Sequence, residues 1–512
     1  MSWASDALQV TEDTMEMIKA ATSGITTSTG IAGIILDPKV FSLVPVDTPF
    51  FNTVPRRGAP NGSRFAVWQT LLNINNQQPD IGTPFEYAGQ LVKILNQYLS
   101  SQFVPMALGG TVSEDALATA EGIADALAVD TIQTMNQFLI GQDIHMLNAQ
   151  NYALPSVTAV TPTLTPVGSG GSIGASTAVY VKCVPRSGVN YYRGGSALPS
   201  TEASTTTGSG SNNSVTGYIP AVKGAACYDW WVGASTGAEY YYTTTATNTV
   251  TITAIPTATQ NVPNVSTLPN IYNAGNAGPA SLPTADTSYQ SYWQNGLTAS
   301  ILGDYASQPD QLGNGLTFTN LVTPGSGTSQ GAYYQSLDGA QLTVQGAALE
   351  QIDVMNKSIY DNYRVSTSRM LMGSQVITDI ANSLLDNPQA VTWLVPNDKA
   401  GRGELVAGGA VATYLNKTVN GKPITLELMP HLPPGKIVAV ADSVPFPGSN
   451  ITTTLEVETL VDFWRFDYGV SRNIGSANGG PRYDFELRSL QAFKNYAAPV
   501  MGILDNIGAG VA

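Results

Sequence analysis

Catalysis needs polar groups that converge with matched acidity, and this chain offers few from which to build such a site. His145 and His431 are its only histidines. Neither has a second histidine, a cysteine or an acidic residue at ligand spacing, so both read as packing or surface residues. Gly170-Gly171-Ser172-Ile173-Gly174 and Gly233-Ala234-Ser235-Thr236-Gly237 match the pattern of a nucleophile elbow. An elbow must bridge a strand and a helix, and glycine- and serine-rich sequence yields such matches by composition alone. No glycine-rich loop ends in the Lys-Ser/Thr pair of a phosphate cradle. Cys183 and Cys227, the only cysteines, are too few for a disulfide-stapled design and are expected as buried free thiols. The sequence therefore predicts no catalytic residue, no metal and no cofactor.

Charge and aromatic clusters leave two other chemistries open. Arg56, Arg57 and Arg64 flank a predicted two-stranded element, and Arg465, Arg472, Arg482 and Arg488 stud the C-terminal strands among Asp462, Asp467, Asp484 and Glu486. Intersubunit ion pairs and exposed solubilising charges are both consistent with that pattern. Tyr191-Tyr192, Trp230-Trp231 and Tyr240-Tyr241-Tyr242 could form an exterior patch for glycans, since aromatic faces suit sugars. Adjacent strand residues face opposite ways, however, so at least half of these are expected in a core.

Only 12% of the 512 residues are charged, while 43% are hydrophobic and glycine and proline number 50 and 31. Soluble proteins carry about 25% charge, so this surface is better suited to being covered by neighbours than to standing alone in water. The formal charge of −14 argues against gripping nucleic acid, because affinity for phosphates rests on clustered Lys and Arg. Nothing resembles a signal peptide or a membrane span, which predicts cytoplasmic synthesis and no membrane partner.

Periodicity divides the chain into six parts. Residues 1–54 hold little beyond a short helical pattern and read as an extended arm. Residues 55–112 carry two strands, near 63–74 and 90–104, around a polar centre too wide for a tight hairpin. Such a ribbon is marginal in water, so its stability is expected to come from lying across a neighbour. Ser113 is a good N-cap for a helix running to Gly141, about 28 residues or ~42 Å long, within a segment ending at 154. Residues 155–258 turn to Ser, Thr, Gly and Tyr with short alternating runs, predicting an all-β sandwich inserted into the chain. Helix, strand (Arg369–Met372) and helix follow within 259–388. In 389–512, Asn420-Gly421 ahead of Ile424-Thr425-Leu426-Glu427-Leu428 predicts a β-hairpin, and the proline-rich Met429–Lys436 stretch precedes another strand at Ile437–Ala441.

Asn420-Gly421-Lys422-Pro423-Ile424, the Leu432-Pro433-Pro434-Gly435 loop and the closing run Ala498-Pro499-Val500-Met501-Gly502-Ile503 resemble the axial domain of tailed-bacteriophage major capsid proteins of the Hong Kong 97-like type. Thr48-Pro49-Phe50 is similar to the end of that family's N-terminal arm. The resemblance implies an α+β fold with an arm, an extended loop reaching over the adjacent subunit, a spine helix, a peripheral domain at 259–388 and an axial domain at 389–512. Gly224-Ala225-Ala226-Cys227-Tyr228 before a Trp-rich strand makes the insertion look like a fibronectin- or immunoglobulin-like module.

What the resemblance implies about function is a structural shell protein and not an enzyme. Its hexamers and pentamers would close into an icosahedral head around double-stranded DNA that is enclosed but not specifically bound. Scaffolding, portal and decoration proteins are the implied partners, and the virion is the implied location. The early start of the arm implies a separate scaffold or an already mature chain. An encapsulin-like compartment holding enzyme cargo is the alternative within the same fold. Some family members link subunits through a Lys–Asn isopeptide bond, for which Lys93 and either Asn356 or Asn362 stand in the corresponding segments. Lys93 therefore joins the arginines as a candidate intersubunit contact. The inserted sandwich is expected to be dispensable for particle formation.

Overall fold

The structure is a computed structural model that describes residues 47–59, 65–73, 95–114, 126–150, 154–188, 197–256, 294–302, 332–345, 348–385, 413–419, 421–444, 452–472 and 481–509. In chain order its first elements are α1 (Pro49–Thr53), β1 (Arg56–Gly58), β2 (Phe65–Asn73), β3 (Leu95–Gln102), β4 (Val104–Ser113) and α2 (Ala126–Asn148). Seven strands follow: β5 (Thr163–Val167), β6 (Ala178–Ser187), β7 (Ala203–Thr206), β8 (Ser214–Tyr218), β9 (Ala225–Gly233), β10 (Tyr240–Thr245) and β11 (Thr249–Ile252). Then come α3 (Leu297–Leu302), β12 (Tyr333–Ser336), β13 (Val344–Gln345), β14 (Ala348–Leu349), α4 (Glu350–Tyr363), β15 (Arg369–Met372) and α5 (Ser374–Leu385). The last strands are β16 (Thr413–Asn416), β17 (Lys422–Leu428), β18 (Ile437–Val440), β19 (Leu455–Arg472), β20 (Pro481–Asn495) and β21 (Gly502–Asp505). The described chain is mixed α and β, with most of its regular structure in sheets.

A four-stranded sheet in the order β1-β19-β20-β4 is built on one long hairpin. β19 and β20 pair from Leu455 opposite Asn495 out to Arg472 opposite Pro481, and β4 lies antiparallel along the outer edge of β20. Helix α2 packs on one face, where Phe138 meets Phe463 edge-on at 5.8 Å. Gly110 in β4 is required there, because a Cβ would sit 2.3 Å from the ring of the buried Phe485. The helix continues through Gly141 to Asn148, seven residues past its expected end. An interior glycine costs only about 1 kcal/mol against alanine. That is outweighed by burial of Met146 and Leu147 in the last turns, which are 1% and 0% exposed.

The two-stranded element is present as antiparallel β2 and β3, with its centre outside the described residues. Its base does not wait for a neighbour. Trp68 Nε1 donates to the Asn495 carbonyl at 3.0 Å, Thr70 Oγ1 donates to the Tyr496 carbonyl at 3.0 Å, and Ala66 packs with Phe103 and Ala492.

Residues 154–256 form two antiparallel sheets, β10-β9-β6-β7 and β11-β8-β5. They share one core, with Val181, Cys183 and Trp230 from the first and Val215, Val250 and Ile252 from the second. Trp230 and Trp231 are both fully buried, in line with the expectation that at least half of these rings lie in a core, and they form no exterior patch. The reason is that every residue of β9 is covered, with Trp231 packed against the Tyr241 ring at 5.9 Å. Tyr240 and Tyr242 are half-buried, and Tyr191 and Tyr192 lie outside the described residues.

Cys183 and Cys227 are free and buried. Burial, opposed by Arg186, pushes the Cys227 thiol up to about 12, and burial also raises Cys183 well above its ordinary value. The folded thiol keeps its proton where the unfolded one, at 9.0, has lost it. Stability from this site is therefore complete below pH 9 and falls as pH rises towards the folded value. Urea unfolding midpoints are expected to decline above pH 9 in the native chain, and to decline less in Cys227→Ala.

The third sheet runs β12-β21-β18-β15-β17-β16, with α4 and α5 packed on it through Ile352, Met355, Ile359, Val376 and Ile380. The expected division at 388/389 falls between strands of this sheet. β15 is hydrogen bonded between parallel β17 and antiparallel β18, so that cut falls inside one sheet. β19 and β20, expected with the last unit, pair instead with β1 and β4. The β16–β17 hairpin also differs in its turn. A 3-10 turn at Lys417–Val419 precedes Gly421, whose φ of +74° meets the need for a left-handed residue and whose N–H donates to Asn416 O at 3.0 Å.

The two-sheet unit is docked on this third sheet. Asn248 Nδ2 donates to Asp338 Oδ1 at 2.8 Å, and Lys436 Nζ donates to the Ala225 carbonyl at 2.8 Å from a buried position. Deleting 155–258 removes these partners, so the remaining chain is expected to melt at a lower temperature than the intact one in a thermal scan.

Candidate functional site

With α2 on one face of the four-stranded sheet, no element among the described residues covers the rings on the other face. Strand alternation sends Phe463 towards the helix and its even-numbered neighbours away from it. Trp464, Phe466 and Tyr468 are 54%, 39% and 50% exposed, a row of three large rings. They touch one another, with centroids 5.6 Å apart for the first pair and 4.9 Å for the second. Across the register, Arg488 faces Trp464 and Glu486 faces Phe466 on β20, and Ala107 and Gly109 on β4 continue the same rungs. Arg488 lies over the Phe466 ring at 6.0 Å and donates to Glu486 Oε2 at 2.8 Å and to Tyr468 Oη at 3.0 Å. The Tyr468 hydroxyl donates to the same Glu486 oxygen. Hydrogen bonds from Arg488 first and Tyr468 second hold the Glu486 carboxyl below the usual carboxylate range. Exposed rings beside fixed charges are features shared by interaction surfaces.

The arginines singled out in the sequence are mostly partnered within their own chain. Arg465 Nε reaches Asp467 at 2.8 Å and stacks over Phe485 at 4.9 Å, and Arg482 lies 3.5 Å from Asp484. Arg56 is sandwiched, 3.7 Å from the centre of the Phe51 ring and 3.9 Å from Asp462. Burial lowers its pKa and Asp462 partly restores it. Arg57 is exposed on β1, and Arg472 stands opposite Pro481 at the far end of the hairpin. Arg64 and Lys93 lie outside the described residues. Asn356 is buried and accepts a hydrogen bond from Thr367 Oγ1 at 2.7 Å, so it is unavailable for a cross-link between subunits, whereas Asn362 is exposed on α4.

Both histidines are structural partners that the sequence did not pair. Asp143, fully buried in α2, accepts the Phe51 main-chain N–H at 2.7 Å, and its other oxygen lies 2.7 Å from His431 Nδ1. Asn148 Nδ2 donates to the His431 carbonyl at 2.8 Å, and His145 Nδ1 lies 3.0 Å from Gln294 Nε2. Their partners are up to 288 residues away, a distance at which spacing carries no signal. Ser172 and Ser235, of the two elbow-like motifs, lie between strands with no helix following. Among the described residues no group of three or more His, Cys, Asp or Glu gathers as a metal site, and no helix is long and apolar enough to cross a membrane.

No family model matches the chain, and no curated protein does. Solved structures do. The capsid asymmetric unit of cyanophage A-1(L) is 11% identical with a TM-score of 0.37, covering 90% of this chain and 93% of that one. The capsid of Myoviridae phage XM1 is 9% identical with a TM-score of 0.36, over 93% and 99% of the two chains. A holo encapsulin complex from Synechococcus elongatus is 7% identical with a TM-score of 0.33, over 94% and 92%. The chain is thus similar to phage major capsid proteins over most of its length, at low identity and low TM-score.

Proposed function

We propose that this chain is the major capsid protein of a tailed phage, a Hong Kong 97-like subunit that assembles with its own copies into hexamers and pentamers enclosing double-stranded DNA. The open aromatic face of the four-stranded sheet carries the reading. A subunit whose own elements leave three rings bare, on a chain with 12% charged residues, has a surface that a second copy must cover. The long hairpin sheet with α2 is the peripheral domain, and the six-stranded sheet with α4 and α5 is the axial domain. β2 and β3 root the extended loop, and residues 154–256 are an immunoglobulin-like insertion displayed from the axial side. Arg57, Arg64, Lys93 and Arg472 remain candidates for contacts between subunits, and Arg488 lies on the aromatic face itself. Nothing in this reading calls for enzymatic turnover, and the acidic chain encloses DNA without gripping it.

Negative-stain microscopy of the expressed protein tests this proposal, with closed regular shells as the expected result. A monodisperse monomer at high concentration would overturn it. Nucleic acid inside purified particles separates a genome container from a cargo compartment.

A further inference from the structure

The six-stranded sheet holds an amine to which the shell assigns no task. Lys436, 4% exposed, follows the Pro433-Pro434-Gly435 turn, and its Nζ lies 2.6 Å from Oδ1 of Asp505 in β21. Nζ also donates to the Ala225 carbonyl at 2.8 Å. Asp505 is 1% exposed, and its Oδ1 accepts the Asn506 main-chain N–H at 2.9 Å, whereas Oδ2 is buried with no hydrogen-bond partner among the described residues. A buried ion pair offsets its desolvation only when its remaining lone pairs are satisfied. This one leaves an oxygen bare.

We infer that Lys436 and Asp505 condense into an amide that staples the loop before β18 to the C-terminal strand. The Nζ lone pair attacks Cγ of Asp505, and the Nζ–Cγ bond forms as the Cγ–Oδ2 bond breaks. The Nζ ammonium gives up two protons, one to the carboxyl group through the 2.6 Å contact before the attack and one as the bond forms, so that Oδ2 departs as water. No oxidant, metal or cofactor enters the balance. The product suits the groups in place. Its one remaining N–H still meets the Ala225 carbonyl, its oxygen still accepts from Asn506, and the departing atom is the one that had no partner. A small void lined by Lys436, Ala226, Gly224 and Thr298 receives the water. Fixed contact between reacting groups is equivalent to concentrations of about 10⁵–10⁸ M, which compensates for a slow condensation.

Intact mass spectrometry of the denatured full chain, followed by digestion, tests the inference. The expected native mass is lower than the sequence mass by one water, with a branched peptide joining positions 436 and 505. Asp505→Asn is expected to reach the same final mass as the native product, because it releases ammonia in place of water. Lys436→Arg is expected to show its full sequence mass. A native chain of undiminished mass overturns the inference, as does a mass loss that persists in Lys436→Arg.

Discussion

Replacing Trp464 and Phe466 together by glutamate is expected to leave a folded subunit that forms no particles. Both side chains are already exposed in the single chain, so their removal opens no cavity and the sheet keeps its hairpin register. Full burial of a large apolar side chain contributes roughly 1.5–3 kcal/mol, and because both rings are already about half covered, burying the remainder of the two supplies about 1.5–3 kcal/mol at each contact. Subunit contacts in a closed shell repeat by symmetry, and a loss at one recurs at all. Introduced carboxylates add a desolvation penalty beside Glu486, whose charge already occupies the neighbouring strand. Sedimentation velocity reads the assembly state and circular dichroism reads the fold. Particles at native yield from the double variant would exclude this face from the subunit contact.

Asp143→Ala is expected to cost about 3 kcal/mol of stability, with the first loss at the N-terminal end. One carboxylate serves the Phe51 N–H and His431 Nδ1, and both are left facing a buried gap when it is removed. Hydrogen bonds to a charged group are worth roughly 1.5–3 kcal/mol each, and a buried donor left alone carries its full desolvation cost. Phe50, fully buried against Phe493 at 6.1 Å, is held in place by the same short helix. Hydrogen exchange should therefore show the amides of 50–54 losing protection before those of β19 and β20. Asp143→Asn retains an acceptor for Phe51 and should recover part of the loss; equal protection in all three proteins would show that Asp143 anchors nothing.

Local elements were legible in the sequence wherever one strand or helix follows its own period. β17 alternates, β15 and α5 fall where their apolar residues place them, and the β-rich character of 155–258 is plain from composition. Partnership across the chain was not. Parallel pairing of β15 with β17 demands a crossover that periodicity does not encode, so nothing in the sequence pattern places those two strands in one sheet. Trp230 and Trp231 looked like opposite faces of one strand because a strand pattern says nothing about what covers each face. The candidate surface was half visible. Arg488 and Glu486 were noted as charges, while Trp464, Phe466 and Tyr468 escaped notice because exposed aromatics at i, i+2 and i+4 look the same as core ones until the sheet's covered side is known.

The root of the flap has a mechanical consequence. Trp68 and Thr70 grip the main-chain carbonyls of Asn495 and Tyr496, at the elbow where the polypeptide leaves the long hairpin for its final strand. A lever fixed at an elbow does not flex independently of it. Force applied to the outer reach of β2 and β3 is delivered as torque to the junction of the two sheets, so whatever seats on that ribbon also sets the angle at which they meet.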